Sequence, residues 1–290
     1  DYDWFHNNSV WYDKKTNSIT LSGRHQDAVI NIDFETGDLN WIIGDPNGWN
    51  AEYLKYFFTG GDGFEWQYAQ HAAEILPNGN VFIFDNGNNR SKIKEEYVDA
   101  DHNYSRAVIY KINTDNMTVE QVWEYGKELG AKFYSPYISD VDYLSNNHYL
   151  ILSGGNASKD GKYLNVPAGL DNADTLRSTL VEIQNNKVIF ELILPTNDYR
   201  AEKINIYDVD SYYLNNASRL GNMGETKTDK SINPLFNKGI DETYKSKNIK
   251  ITKEADRLVF TGTFQKDDKV SLILNGVFSN KTYNVRISNR

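Results

Sequence analysis

Ser18-Ile-Thr-Leu-Ser22, Ala28-Val-Ile-Asn-Ile-Asp33 and Leu39-Asn-Trp-Ile-Ile43, with a turn at Thr36-Gly37 before the last, decide the fold. Each is a short run, alternating or continuously apolar and rich in β-branched residues, which is strand rather than helix patterning. The same order returns twice. Asn80-Val-Phe-Ile-Phe-Asp85, Ser105-Arg-Ala-Val-Ile-Tyr-Lys-Ile112 and Val119-Glu-Gln-Val-Trp-Glu-Tyr125 make the second copy, turning near Asp115-Asn116. His148-Tyr-Leu-Ile-Leu-Ser153, Ser178-Thr-Leu-Val-Glu-Ile183 and Val188-Ile-Phe-Glu-Leu192 make the third, turning at Asn185-Asn186. Repeated strand–strand–hairpin units are the plan of a propeller blade, so the expectation is an all-β chain of sheets stacked around an axis.

Outward from these units, Gly87 to Tyr104 and Gly154 to Arg177 read as loops on one rim, where propellers carry function. A fourth unit is suggested by Ala201-Glu-Lys-Ile-Asn-Ile-Tyr207 and Tyr212-Tyr213-Leu214, followed by an irregular polar stretch from Asn215 to Ser246. The expected division is therefore blades over residues 1–246 and a plain antiparallel meander over 247–290. The best helical stretch runs only from Asn50 to Tyr56. Three clear units and a fourth are few for a ring, which usually closes with about four to eight blades. The expectation is that earlier blades belong to sequence upstream of Asp1.

Composition narrows the function classes. With 31 Lys+Arg against 40 Asp+Glu the 290-residue chain carries a net charge of −9, and it lacks a basic run, so nucleic acid is not expected as a partner. Aromatics at 13% supply a large core. The absence of cysteine excludes disulfides, zinc-thiolate sites and a cysteine nucleophile. No run approaches the roughly 20 apolar residues of a membrane span. There is no phosphate-loop or dinucleotide fingerprint. Asp99-Ala-Asp101 and Asp267-Asp268 lack the spacing of a calcium loop, so no metal or other cofactor is expected.

The five histidines carry most of the chemical information. His6, in Trp4-Phe-His-Asn-Asn-Ser-Val10, and His71, in Gln70-His71-Ala72, precede the first strands of units one and two at matching places. If the units stack, both converge on one axis. A lone histidine there is also readily a structural hydrogen-bonder. Arg24 ends the first strand of unit one, and Arg90 follows the equivalent strand of unit two. Together with Asn8 these residues would make a donor-rich cationic pocket in an acidic protein, suited to sulfate or phosphate oxygens. His25 sits at the turn after Arg24, while His102 and His148 read as loop or strand-end residues.

Trp4-Phe-His-Asn-Asn-Ser, Ser22-Gly-Arg-His-Gln-Asp-Ala-Val-Ile, Trp41-Ile-Ile-Gly-Asp-Pro-Asn-Gly-Trp, Gln70-His71, Phe84-Asp-Asn-Gly, Tyr104-Ser-Arg-Ala-Val-Ile-Tyr-Lys-Ile and Val122-Trp-Glu-Tyr-Gly-Lys-Glu occur in an order that resembles the bacterial arylsulfate sulfotransferases. The likeness is dense over residues 1 to about 140 and thinner beyond. It implies a six-bladed propeller that moves a sulfuryl group from an aryl sulfate donor to a phenolic acceptor. It further implies a sulfohistidine intermediate, ping-pong kinetics and no nucleotide donor. It assigns His71 as nucleophile, His6 as acid/base or sulfuryl contact, and Asn8 and Arg24 as sulfuryl donors.

The family's threonine falls at Ile138 or the neighbouring Ser139. Arg90, Ser139, Tyr134 and Trp66 are carried as substrate-binding candidates, with Tyr68 as a further aromatic wall. The resemblance also implies a periplasmic or secreted enzyme, an upstream β domain, a C-terminal portion of a longer protein with its remainder as a second chain, and a homodimer. The alternatives are a non-catalytic binding propeller, which would not need His71, and an aryl sulfate hydrolase, which would not need an acceptor.

Overall fold

In the computed structural model the described residues are 3–169, 171–203, 250–254, 257–263, 270–275 and 280–285. They are all-β, with helix confined to short 3₁₀ turns. The chain divides into two compact units, Asp1–Lys203 and Ile204–Arg290.

The first unit is built from three successive antiparallel meanders. Sheet one is β1 (Asn7–Asp13), β2 (Ser18–Gly23), β3 (Ala28–Asp33) and β4 (Leu39–Ile43), paired in that order. Next along the chain is β5 (Thr59–Gly60), followed by β6 (His71–Ile75), β7 (Val81–Asp85), β8 (Arg106–Asn113) and β9 (Thr118–Tyr125). These form sheet two in the order β5-β9-β8-β7-β6, the short β5 pairing with β9 in parallel. Sheet three holds β10 (Asp140–Ser145), β11 (His148–Lys159), β13 (Thr175–Gln184) and β14 (Lys187–Leu194), with β12 (Lys162–Tyr163) as an extra hairpin arm on β11.

The nine strands expected in the three units are present, and each unit has a fourth strand ahead of them: β1, β6 and β10. Their sequences hide them. β1 opens on Asn7-Asn8-Ser9 and β6 contains Ala72-Ala73, and both ladders are bulged there, between Asn7 and Ser9 and between His71 and Glu74. A bulge breaks the two-residue period on which strand recognition rests. These first strands lie together, β1 against β6 and β10 against β6 and β7.

β7 shows why the sheets stack. Val81 and Ile83 pack toward sheet one with Val29, Trp41, Ile43 and Phe58, while Phe82 and Phe84 pack toward sheet three with Val141, Tyr149 and Ile151. A strand buried on both faces needs an apolar residue at every position, which accounts for the uninterrupted Val-Phe-Ile-Phe run. Asn185 and Asn186 form a two-residue hairpin with φ of 50° and 59°, the left-handed pair that a tight turn of this kind requires.

Some expectations change. Residues 50–56 hold a 3₁₀ turn, Ala51–Tyr56, rather than an α-helix. The segment from Gly154 to Arg177 is not all loop, because β11 and β13 extend through it past a bulge at Gly154-Gly155. The space there admits glycine alone: a Cβ on Gly154 would lie 1.9 Å from the Asp198 carbonyl oxygen. The fourth unit, apart from Ala201, Glu202 and Lys203, and the stretch from Asn215 to Ser246 lie outside the described residues. In the second unit, β15 (Lys250–Glu254) pairs with β16 (Arg257–Thr261) and β17 (Val270–Asn275) with β18 (Asn280–Val285), both antiparallel.

Sheet two is fastened by a buried charge network. Arg106 and Asp85 are both fully buried, with Nε donating to Oδ2 at 3.0 Å. Arg106 also meets Glu124 at 2.8 Å and Glu65 at 3.2 Å. Asp85 in turn accepts from the Tyr68 and Gly87 amides and from Arg90. Burial opposes the guanidinium charge, but the Asp85 carboxylate, Tyr110 and the Glu124 hydrogen bond together outweigh it, so the Arg106 pKa is raised. Asp85→Ala should therefore destabilise the protein by about 3–5 kcal/mol, because it removes the buried carboxylate that faces Arg106 and Arg90 and leaves Arg106 only the partly exposed Glu124 and Glu65. The check is a lowered urea midpoint at unchanged slope, with Asp85→Asn falling in between.

Candidate active site

The starts of the three first strands lie together, and those of β1 and β6 are bulged. His6 stands just before β1, His71 opens β6, and Ser139 stands just before β10. All three segments contain non-glycine residues in the left-handed region: His6 at φ 52°, Ala69 at 53° and Ala72 at 56°, Ile138 at 50° and Ser139 at 94°. Such conformations cost about 1–3 kcal/mol each and persist only where surrounding contacts enforce them. The enforcing contacts are visible. The Asp27 carboxylate accepts from the Ala69 amide at 2.6 Å. The Asn8 side chain accepts from the Ala72 amide at 3.3 Å and donates to the Gln70 carbonyl at 2.8 Å, gripping both sides of His71.

His71 is 2% exposed, and its tautomer follows from its neighbour. Asn86 Nδ2 donates to the Ser135 and Ile138 carbonyls, each at 2.7 Å, so Asn86 must present Oδ1 to the imidazole. That oxygen lies 2.8 Å from His71 Nδ1, and the Ala69 carbonyl lies 3.1 Å from it. Two acceptors facing Nδ1 place the proton there, and Nε2 keeps its lone pair. Burial pushes the His71 pKa down to about 4, the Asn86 hydrogen bond opposes this, and the charge of Arg24 reinforces it. The imidazole is thus neutral throughout the physiological range, with one defined basic nitrogen.

Arg24 supplies the positive charge beside it. Its Nη2 donates to Asn88 Oδ1 at 3.3 Å and to the Pro136 carbonyl at 3.1 Å. Its Nε and Nη1 hydrogens have no protein acceptor among the described residues, so three of the five guanidinium donors remain for a ligand. His6 is partly exposed, with Nδ1 bonded to Asp3 Oδ2 and its ring stacked on His25 at 4.7 Å.

The structure brings His6, Asn8, Arg24 and His71 together and deploys the other candidates elsewhere. The Arg90 guanidinium is engaged by Asp85, Asn103 and the Tyr104 carbonyl, and it lies 3.7 Å from the Tyr104 ring centroid; it pins a loop. Trp66 packs edge-on against Phe64 at 4.7 Å beside the core between sheets one and two. The Ser139 hydroxyl bonds Ser135 Oγ at 2.8 Å and accepts from the Gly154 amide at 3.0 Å, which holds the turn before β10. Tyr134 is buried, donating to Asn165 at 2.6 Å, and burial raises its pKa. Its link to Arg24 runs through Asn88, whose Nδ2 is 3.5 Å from the Tyr134 hydroxyl. Tyr68 is half-buried, and its phenol pKa is pushed up to about 12 by burial.

Three further residues belong here that the sequence did not single out. Asn86 sets the His71 tautomer. Tyr199 places its ring edge-on to His71 at 6.1 Å, and Arg200 donates to the Asn8 carbonyl at 2.7 Å. The signal available was positional: Tyr199-Arg200 precedes Ala201 as His6 precedes β1. Farther along the same strands lies a carboxyl group of a different kind, Glu74, whose pKa is raised to about 8 by burial and by Asp142 and Asp140. Asp140 is itself raised to about 7, chiefly by burial.

Residues 1–207 match the family described as Arylsulfotransferase (ASST). Arylsulfate sulfotransferase AssT of Escherichia coli O6:H1 is 37% identical over 170 residues, covering 53% of this chain and 28% of that protein. Arylsulfate sulfotransferase AssT of Lelliottia amnigena is 34% identical over 158 residues, covering 49% and 26%. The matched segment thus spans only about a quarter of those relatives' length. A protein of unknown function from Bacteroides caccae aligns over 65% of this chain and 61% of its own, with 16% identity and a TM-score of 0.27.

Two outcomes test the electrostatics. In ¹⁵N-histidine NMR, His71 should show a protonated Nδ1 and a bare Nε2 from pH 8 down to about pH 5, and Asn86→Ala should mix the tautomers. Glu74 gives the opposite pH signature. Its folded pKa of about 8 lies above the unfolded value, so the stability it gives as a neutral acid is lost as pH rises through that window. Glu74→Gln should match the wild-type Tm near pH 5 and exceed it at pH 9.

Proposed function

The chain belongs to the arylsulfotransferase family, and on that premise we propose that it transfers a sulfuryl group from an aryl sulfate to a phenol through a covalent intermediate on His71. The observation that carries the reading is the buried neutral imidazole whose Nδ1–H is held by Asn86 while Nε2 stays bare.

In the first half-reaction the Nε2 lone pair attacks sulfur in line and the S–O bond to the aryl group breaks. The electron pair leaves on the phenolate, and His71 carries an N-sulfonated ring. Arg24 offers its unspent N–H groups to the sulfuryl oxygens, as donors do in phosphoryl transfer. His6 protonates the departing phenolate. In the second half-reaction His6 takes the proton of an acceptor phenol, whose oxygen attacks the same sulfur and restores neutral His71. Alternation of donor and acceptor makes the kinetics ping-pong.

Asn8 acts mainly by positioning, since its amide grips the peptide groups on both sides of His71. Tyr199 takes the role of aromatic wall expected of Trp66, Tyr68 and Tyr134. Asn86 matters chemically as well as sterically: a neutral amide under Nδ1–H leaves the sulfonated ring cation-like and ready to discharge, where a carboxylate would stabilise it. The reading also takes the three meanders as blades of a six-bladed ring. It involves no nucleotide donor, and it places the protein in the periplasm or outside the cell.

Intact mass after brief exposure to 4-nitrophenyl sulfate tests this. A sulfuryl-sized gain that maps to His71, is absent in His71→Ala and discharges on adding phenol supports the reading. Nitrophenolate release that ignores added phenol points to hydrolysis instead. Neither adduct nor release from the folded protein sinks the catalytic assignment in favour of a binding propeller.

A further inference from the structure

We propose that Asp3, His6 and His25 form a site for a divalent transition-metal ion of the zinc type, and that filling it withdraws His6 from the transfer reaction. One donor atom from each of the three lies within 4.8 Å of those of the other two. The arrangement is held rather than incidental. The two imidazole rings stack at 4.7 Å with 26° between their planes. One residue orients both of them, because Asp3 Oδ2 faces His6 Nδ1 while the Asp3 carbonyl oxygen accepts from His25 Nδ1 at 2.6 Å.

The backbone fixes the same pair. The His25 amide donates to the Phe5 carbonyl and the Arg24 amide to the His6 carbonyl, each at 3.2 Å. The left-handed φ of His6 then sets where its ring projects. Metal sites of this kind commonly gain affinity from such pre-orientation, and here the Asp3 main-chain carbonyl fixes the His25 ring through its Nδ1, leaving Nε2 for an ion.

The chemistry selects the ion. Two imidazoles and one carboxylate suit zinc, cobalt, nickel and copper(II) and give little advantage to magnesium or calcium, which favour oxygen cages. Three protein donors leave a fourth position for water in a tetrahedral ion. Arg24 works against the cation, since it lies close enough to Asp3 for their charges to interact. The site should therefore be weaker than a closed structural zinc site.

Binding occupies a nitrogen lone pair of His6 and ends its exchange of protons with the phenols; His71 is untouched. Only this inhibition rests on the transferase reading, and binding does not. A cobalt(II) titration followed by visible absorption reads binding without reference to activity, with circular dichroism confirming that each variant is folded. The expected result is one tetrahedral-type band set at one ion per chain in the wild type, lost in His25→Gln and in Asp3→Asn. No band, or a band that survives in both variants, overturns the proposal. Zinc at saturation should lower phenol-dependent turnover at least about tenfold in the wild type and less than twofold in His25→Gln, with recovery on chelation. Unchanged wild-type turnover with the site filled overturns the withdrawal of His6. If the protein transfers no sulfuryl group at all, the cobalt result alone decides the site.

Discussion

The arrangement at the meeting of the three sheets depends on one hydrogen bond, from His71 Nδ1 to the side-chain oxygen of Asn86. Its direction is dictated from the far side. Asn86 spends its NH₂ group on the carbonyls of Ser135 and Ile138, so sheet three, through the turn before β10, decides which nitrogen of a histidine in sheet two is basic. Disturbing that turn would free the amide to reverse, and a reversed amide would offer N–H to Nδ1 and drive the proton to Nε2. A reactive lone pair in a buried place is thus secured by packing between sheets rather than by a local motif.

Burial supplies the other half. An exposed imidazole is partly protonated near neutral pH, and a protonated ring is no nucleophile. Desolvation and the nearby guanidinium hold His71 neutral instead. The same desolvation acts in the opposite sense on Glu74 and Asp140, whose pKa values it raises. One dry interior therefore keeps the base His71 unprotonated at the start of β6 and favours the protonated carboxyl of Glu74 farther along the same strand. The backbone strain at His6, Ala69, Ala72, Ile138 and Ser139 stands beside apolar stacking on both faces of β7, which helps to offset it.

How much of this was legible in the sequence follows from which features are periodic. β7 announces itself because a strand buried on two faces must be apolar throughout, β8 and β9 because they are rich in β-branched and aromatic residues, and the Asn185-Asn186 hairpin because its backbone excludes most side chains. β1 and β6 were missed for the converse reason: their starts, turned into a site, are bulged and small or polar there. The site residues divide in the same way. His6, Asn8, Arg24 and His71 carry recognisable chemistry at matching places in the repeat. Asn86 lies in plain view in Phe84-Asp-Asn-Gly, but an asparagine in a turn-like string reads as turn chemistry, and only its two carbonyl partners, 49 and 52 residues away, give it another meaning.

Arg90 and Trp66 show the limit from the other side. An arginine near a strand end and a tryptophan beside Gln70-His71 are sound candidates by residue type, yet their environments decide otherwise. Arg90 meets two acceptors and a carboxylate at once, and a guanidinium so engaged has little left for an anion. Arg24 differs in environment rather than in chemistry: its partners are one amide oxygen and one carbonyl, both on the same terminal nitrogen. What separates an arginine able to take an anion from a fully engaged one here is the number of donors left over. That number is set by loops remote in sequence, which composition and spacing do not encode.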